Sequence, residues 1–421
     1  MNHIKHLVFS LILICFTKLN ASSVLLPMDS DGQQNHLKAY GITYWALAKN
    51  YKVNWLLNYR GGSFLLPDGD DIRKECQIRG VSFEVLTDAA TASILEEISS
   101  PSQNMETVVL EKAPKIAVYT PKGKQPWDDA VTMVLTYAEI PYTEIYDTEV
   151  LSDQLVLYEW LHLHHEDFTG QYGKFYAAYN TAEWYINDKK KNEDMAKKHG
   201  FSKVSQLKLA VSKKIKDFVI GGGYLFAMCS ATDSYDIALA AEGTDICGAM
   251  FDGDSANPNA QSDLDYSKSL AFKDFNLVTN PYEYEYSDID MTQVRRVPFN
   301  ADYFTLFTFS AKFDPIPSML CQNHTTTIKG FMGQTTSFRS SLIKSSTTIL
   351  GDNKSVGEAR YIHGDLGKGT WTFYGGHDPE DFQHQVGDPP TDLNLHPNSP
   401  GYRLILNNVL FPAAKKKPQK T

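Results

Sequence analysis

Residues 203–243, KVSQLKLAVSKKIKDFVIGGGYLFAMCSATDSYDIALAAEG, decide the fold. Val204, Leu207, Val211, Ile215 and Phe218 recur at helical spacing, with Lys203, Lys208, Lys213, Lys214 and Lys216 mostly on the opposite side. Gly221, Gly222 and Gly223 stop that helix. Tyr224 to Met228 then has the length and bounding of a buried strand, Cys229-Ser230 ends it, and Asp233 to Ala241 reads as the next helix. Helix, strand, tight turn and helix in so few residues are the pattern of a parallel α/β sheet.

The turn places Cys229 above the carboxyl edge of the sheet, beside amides that open a helix. A nucleophile elbow needs small residues two before and two after, and these are Ala227 and Ala231. Such a turn offers a thiolate a favourable dipole and, through the Ser230 N–H, a donor for an oxyanion. The competing reading is a packed thiol, because free cysteine is among the most buried residue types.

Working outward, residues 1–21 read as a secretory leader: Lys5 and His6, the apolar run Leu7 to Phe16, then Leu19-Asn20-Ala21 as cleavage site. Its apolar run is too short to span a bilayer, and no later stretch reaches the ~18 apolar residues that a span requires. The expectation is an exported chain, periplasmic or extracellular. The 421 residues carry a net charge of −10 with no basic stripe, which argues against nucleic acid. Cys76, Cys229, Cys247 and Cys321 follow the leader, an even count that permits up to two disulfides, Cys229–Cys247 among them.

Residues 22–112 alternate strands (Val24–Leu26, Val53–Leu57, Ser63–Leu66, Val81–Leu86) with helices near His36–Lys49, Ile72–Ile78 and Ala90–Ile98, a small α/β layer of its own. A core spanning 113–250 and 363–413 follows. Ile116–Tyr119 is a strand, Pro126 with Asp128 and Asp129 opens a helix, and Tyr142–Tyr146 and the end of Leu155–Leu163 are further strands. Residues 168–198 form a polar helical insertion. After the central stretch, residues 251–362 turn to short β-prone runs and loops, read as an insertion beside the main sheet. Asp252-Gly253-Asp254 lacks the ligand and glycine that a calcium loop needs next, because Ala256 and Asn257 stand there. Thr370–Tyr374 and a closing helix Gly401–Leu410 complete the core, and residues 414–421 are a basic tail.

Polar clusters stand at three strand ends: Cys229; His377-Asp378-Pro379-Glu380-Asp381; and His162-Leu163-His164-His165-Glu166-Asp167, followed by Thr169-Gly170. Thiol catalysis needs a base at the sulfur and an acid to orient that base. His377 fits the base, and Glu380 or Asp378 the acid. The segment with His164, His165, Glu166, Asp167 and Gly170 is placed to complete an oxyanion and binding loop.

A small-x-Cys-x-small turn and a late histidine followed by an acid resemble class I glutamine amidotransferases and their ThuA-like relatives, whose last strand ends in Gly-His before a closing helix. The resemblance implies a flavodoxin-like fold, Cys229 as nucleophile attacking an amide through a thioester, His377 as base and the Ser230 amide in the oxyanion hole. Here the usual glycines are Ala227 and Ala231, and His-x-Glu is His377-x-x-Glu380. Over its whole length the chain is similar to exported bacterial proteins labelled asparagine synthetase B, through Asn35–Gly41, His162–Gly173, Ala227–Asp233, Gly375–Asp381 and Pro400–Ala414. The cysteine at the mature N-terminus and the Ser-Gly-Gly-x-Asp-Ser loop of such a synthetase are both missing from the sequence.

Two other readings stand beside the thiol hydrolase. His162 and His164 share one face of a strand, and with His165 and adjacent carboxylates they compose a metal-assisted hydrolase. Alternatively, the sheet edge binds a carbohydrate or peptide without turnover, with Trp160, Tyr172 and Trp184 as platforms. The thiol reading calls for a small-molecule, glycan or peptide substrate and no cofactor.

Overall fold

The computed structural model describes residues 21–122, 128–383 and 385–415. Met1 to Asn20 of the leader, Pro126 and most of the basic tail lie outside the described residues.

Two sheets organise these residues. The first is antiparallel: β1 (Ala21–Leu26), β2 (Val53–Leu57), β3 (Ser63–Pro67), β4 (Glu84–Thr87) and β5 (Glu106–Leu110), in the order β4-β1-β3-β2-β5. Alternation along β1 sends Val24 and Leu26 to one core and Leu25 to another, where Leu56, Leu65 and Ile98 meet it. The strand Glu106–Leu110 was absent from the sequence reading. Its edge is covered by the end of the chain, where Leu110 bridges Ala414 and the Lys415 N–H donates to the Val109 carbonyl at 2.9 Å.

The second sheet is mixed. Its strands are β6 (Ile116–Tyr119), β7 (Thr143–Ile145), β8 (Trp160–Leu163), β9 (Tyr224–Met228), β10 (Tyr303–Leu306), β11 (Thr327–Lys329), β12 (Phe338–Arg339), β13 (Thr348–Asn353), β14 (Glu358–Leu366) and β15 (Gly369–Tyr374). The order is β11-β10-β13-β14-β15-β9-β8-β6-β7, with β12 paired to β14. From β15 to β7 every pairing is parallel, and from β15 outward every pairing is antiparallel. Residues 251–362 therefore extend the main sheet instead of lying beside it, through β14 hydrogen-bonded to β15.

The parallel strands are buried on both faces, which explains their unbroken apolar runs. Ile116, Val118, Phe226 and Met228 join one core with the helices His36–Ala48, Ala130–Tyr137 and Pro400–Leu410. Ala117, Tyr119, Leu225 and Ala227 join the other with Val204–Gly221 and Ala231–Ala240. The chain is thus α/β, with helices covering both faces of the parallel strands.

Lys203 explains the failed calcium motif. Its Nζ lies 2.5 Å from Asp245 and 3.0 Å from Asp252 and also pairs with Asp254, so an ammonium occupies the acidic cluster. All four described thiols are free, and Cys229 and Cys247 are not joined.

Candidate functional site

Register fixes where the site forms. His162 stands opposite Val118 and Phe226, Leu163 opposite Ala227, and Met228 opposite Tyr374, so β6, β8, β9 and β15 end together. The segments that follow these ends gather at one carboxyl edge, where open α/β sheets hold their ligands.

A line of three imidazoles runs across that edge. His162 Nδ1 lies 3.2 Å from the Phe226 carbonyl and its Nε2 lies 3.2 Å from His164 Nδ1. His164 Nε2 reaches His377 Nδ1 at 3.1 Å, and His377 Nε2 meets Asp128 Oδ1 at 3.2 Å. Asp129 flanks the line, 3.6 Å from His162 Nε2 and 3.5 Å from His164 Nδ1. The three rings are buried. Asp129 also caps the helix Ala130–Tyr137 by accepting the Thr132 N–H at 2.9 Å, so the helix start aims its carboxylate.

Burial works against charge in every member of this group, and the neighbouring charges decide the outcome. Burial lowers His162 and His165. It also acts to lower His164, but the Asp129 carboxylate overrides it and that ring is raised. Burial acts to raise Asp129 and Asp128; His164 and His162 hold the former well down, and the hydrogen bond with His377 lowers the latter.

Cys229 sits at the end of β9 with φ 51° and is buried. Its N–H donates to the Gly376 carbonyl at 3.1 Å, and the Ala231 N–H donates to the His164 carbonyl at 3.0 Å. Left-handed backbone in a non-glycine residue at a strand–helix junction is the strained turn of an elbow. Burial raises the thiol, while the amides of Ser230 and Gln334 act to lower it. Gln334 comes from the 251–362 segment, which closes over the sulfur.

Glu166 Oε2 accepts the His164 N–H at 3.2 Å, and its Oε1 lies 3.9 Å from His165 Nε2. Burial, followed by the Asp129 charge, pushes Glu166 up to about 7. Asp167 shapes its own loop by accepting from the Thr169 N–H and hydroxyl at 2.6 Å. Gly170 turns that loop at φ 86°, where a Cβ would stand 2.7 Å from Ser205 N. Asp378 accepts from the Tyr402 hydroxyl at 2.7 Å, and Glu380 pairs with His396 Nδ1 at 3.1 Å. The carboxylate on His377 is therefore Asp128, not either of the two acids following that histidine.

A small cavity bordered by His165, Glu166, Asp167 and Lys208 shares Pro121, Tyr146, Asp188 and Asn192 with a surface groove of about 640 Å³ lined also by Trp184 and Lys191. The small cavity reaches His165, the chain neighbour of His164, while His162, His164 and His377 line neither space. Sequence reasoning found His162, His164, His165, Cys229 and His377, but read Asp128 and Asp129 only as helix-opening acids. Their position after β6 at the carboxyl edge was the available signal.

No family model and no curated protein matches the chain. Among solved structures it is similar to the cytoplasmic protein STM3548 from Salmonella typhimurium, at 10% identity and TM-score 0.34 over 72% of this chain and 100% of that one. It is also similar to the cytoplasmic protein STM1381 from Salmonella typhimurium LT2, at 12% identity and TM-score 0.36 with the same coverage. The GH42 β-galactosidase Gan42B aligns at 10% identity and TM-score 0.26, over 63% of this chain and 28% of that one.

Proposed function

We propose that the protein is an exported hydrolase of amides or esters, acting at the carboxyl edge of a flavodoxin-like core related to the class I amidotransferases. The parallel strands run β7-β6-β8-β9-β15, second-first-third-fourth-fifth in chain order, which supports that reading of the core. The observation that carries the activity is the line Asp128–His377–His164. A carboxylate-oriented imidazole takes a proton from an attacking nucleophile and returns it to a leaving group. Water attacks the carbonyl carbon, the imidazole pair accepts its proton, and the departing amine or alkoxide takes that proton as the acyl bond breaks.

A second reading keeps Cys229 as the nucleophile, through a thioester that water then cleaves. The strained φ of 51° and the Ser230 and Gln334 amides at the sulfur favour it. Turnover of an aryl-ester and anilide panel by Cys229→Ala separates the two: retained turnover supports attack by water, and abolished turnover supports the thiol. A wild-type protein that hydrolyses none of the panel overturns both.

A further inference from the structure

The protons along the histidine line can be counted. The Phe226 carbonyl only accepts, so His162 carries a proton on Nδ1. The Asp128 carboxylate accepts at 3.2 Å, so His377 carries one on Nε2. His377 Nδ1 is then a lone pair, which requires His164 to donate from Nε2. In neutral rings, the form that binds a metal, the nitrogens left over are His162 Nε2 and His164 Nδ1. These two nitrogens face each other at 3.2 Å, with Asp129 Oδ2 3.6 Å from the first and Asp129 Oδ1 3.5 Å from the second. These groups converge on one point that a cation fills, either a proton or a metal ion.

We propose that Asp129, His162 and His164 form a binding site for a divalent zinc ion. The 3.2 Å between His162 Nε2 and His164 Nδ1 matches the edge of a tetrahedron, because zinc bonds of about 2.0–2.1 Å place neighbouring ligand atoms about 3.3 Å apart, and Asp129 turns one carboxylate oxygen toward each ring. The donor set of two imidazoles and one carboxylate is that of catalytic zinc sites, which leave a fourth position for water. The outer contacts agree. A zinc-binding histidine gives its second N–H to a carbonyl or a carboxylate-linked partner. His162 does so to Phe226, and His164 to His377, which Asp128 anchors. His165, named with the other two from sequence, lies outside this trio and instead groups with His164 and His377.

The site's catalytic role rests on the hydrolase reading: Asp129, His162 and His164 would hold the ion, which would supply a bound water acidic enough to attack as hydroxide, its proton released to solvent. The binding itself does not depend on that reading. The test is titration calorimetry of the chelator-treated protein with zinc chloride alone. The expected result is one equivalent bound with micromolar or tighter Kd, weakened at least 100-fold in Asp129→Asn and in His164→Gln but kept in His165→Ala. Circular dichroism establishes that each variant is folded, and His162→Gln stands in for either that is not. No zinc uptake at 100 μM, or unchanged uptake in the ligand variants, leaves a protonated pair only and overturns the site. If apo protein still hydrolyses esters, the hydrolase reading survives that failure. If zinc binds but His377→Gln keeps full turnover, the hydrolase reading falls and the metal site stands.

Discussion

His164 and His377, 213 positions apart in the chain, meet ring to ring with Nε2 3.1 Å from Nδ1. Parallel pairing makes this possible. With β9 between β8 and β15, the segments leaving β8 and β15 pass over the same short elbow at Cys229. The Gly376 carbonyl accepts from Cys229 and the His164 carbonyl accepts from Ala231. The elbow therefore spaces the two histidines through its backbone, whichever nucleophile the site uses.

Acid sensitivity should follow in part from His363, which is buried in β14 with Nδ1 2.9 Å from the Thr372 hydroxyl. Burial lowers it to about 4, against an unfolded value of about 6.5. The unfolded chain therefore binds more protons between those values, and the neutral ring's contribution, fully present above about pH 6.5, is lost as pH falls toward about 4. The full span corresponds to about 3 kcal/mol. His363→Gln should flatten this part of the profile, so urea titrations of the two proteins should converge as pH drops.

The thiols should be slow. Burial pushes Cys76 up to about 12 and also raises Cys229, Cys247 and Cys321. The folded chain beginning after residue 21 should react slowly with Ellman's reagent at pH 7.5, and all four thiols should react at once in guanidinium. Rapid labelling of Cys229 in the folded protein would contradict the inert thiol and favour the thioester reading.

Much of this architecture could be read from the sequence, and the misses have physical causes. Tyr224–Met228 and Ile116–Tyr119 are strands buried on both faces, so apolar runs marked them directly. The closing helix read as Gly401–Leu410 begins one residue earlier, at Pro400, with Ser399 as its cap. Glu358–Leu366 went unread because its charged residues find partners far along the chain, and Glu106–Leu110 because only Val108 and Leu110 of it are buried. Glu358, for example, is buried against Arg295 at 3.0 Å. At the site, histidines advertise chemistry by type alone. Asp129 satisfies the rule for a helix cap, and that local explanation concealed its second role beside His162 and His164.

Lys208 tests the buried electrostatics behind the site. Its Nζ lies 3.0 Å from both Asp147 oxygens and 2.9 Å from the Tyr119 hydroxyl, with Lys208 and Asp147 both buried. Removing one partner leaves an uncompensated charge, whereas replacing both is close to neutral. Lys208→Met should lose about 3–5 kcal/mol in urea unfolding, and Lys208→Met with Asp147→Leu should regain most of it. Equal losses in both proteins would contradict the pairing.

The most direct measurement is the steady-state hydrolysis of a responsive aryl ester or anilide by His377→Gln and Asp128→Asn. With His377 as the proton carrier and Asp128 as its anchor, kcat should fall by about 10²–10⁴ in the first variant while KM stays near wild type, and Asp128→Asn should lower kcat in the same direction. Rates within a few-fold of wild type in both variants would contradict the account, because the hydrogen-bonded line at the carboxyl edge would then carry no proton.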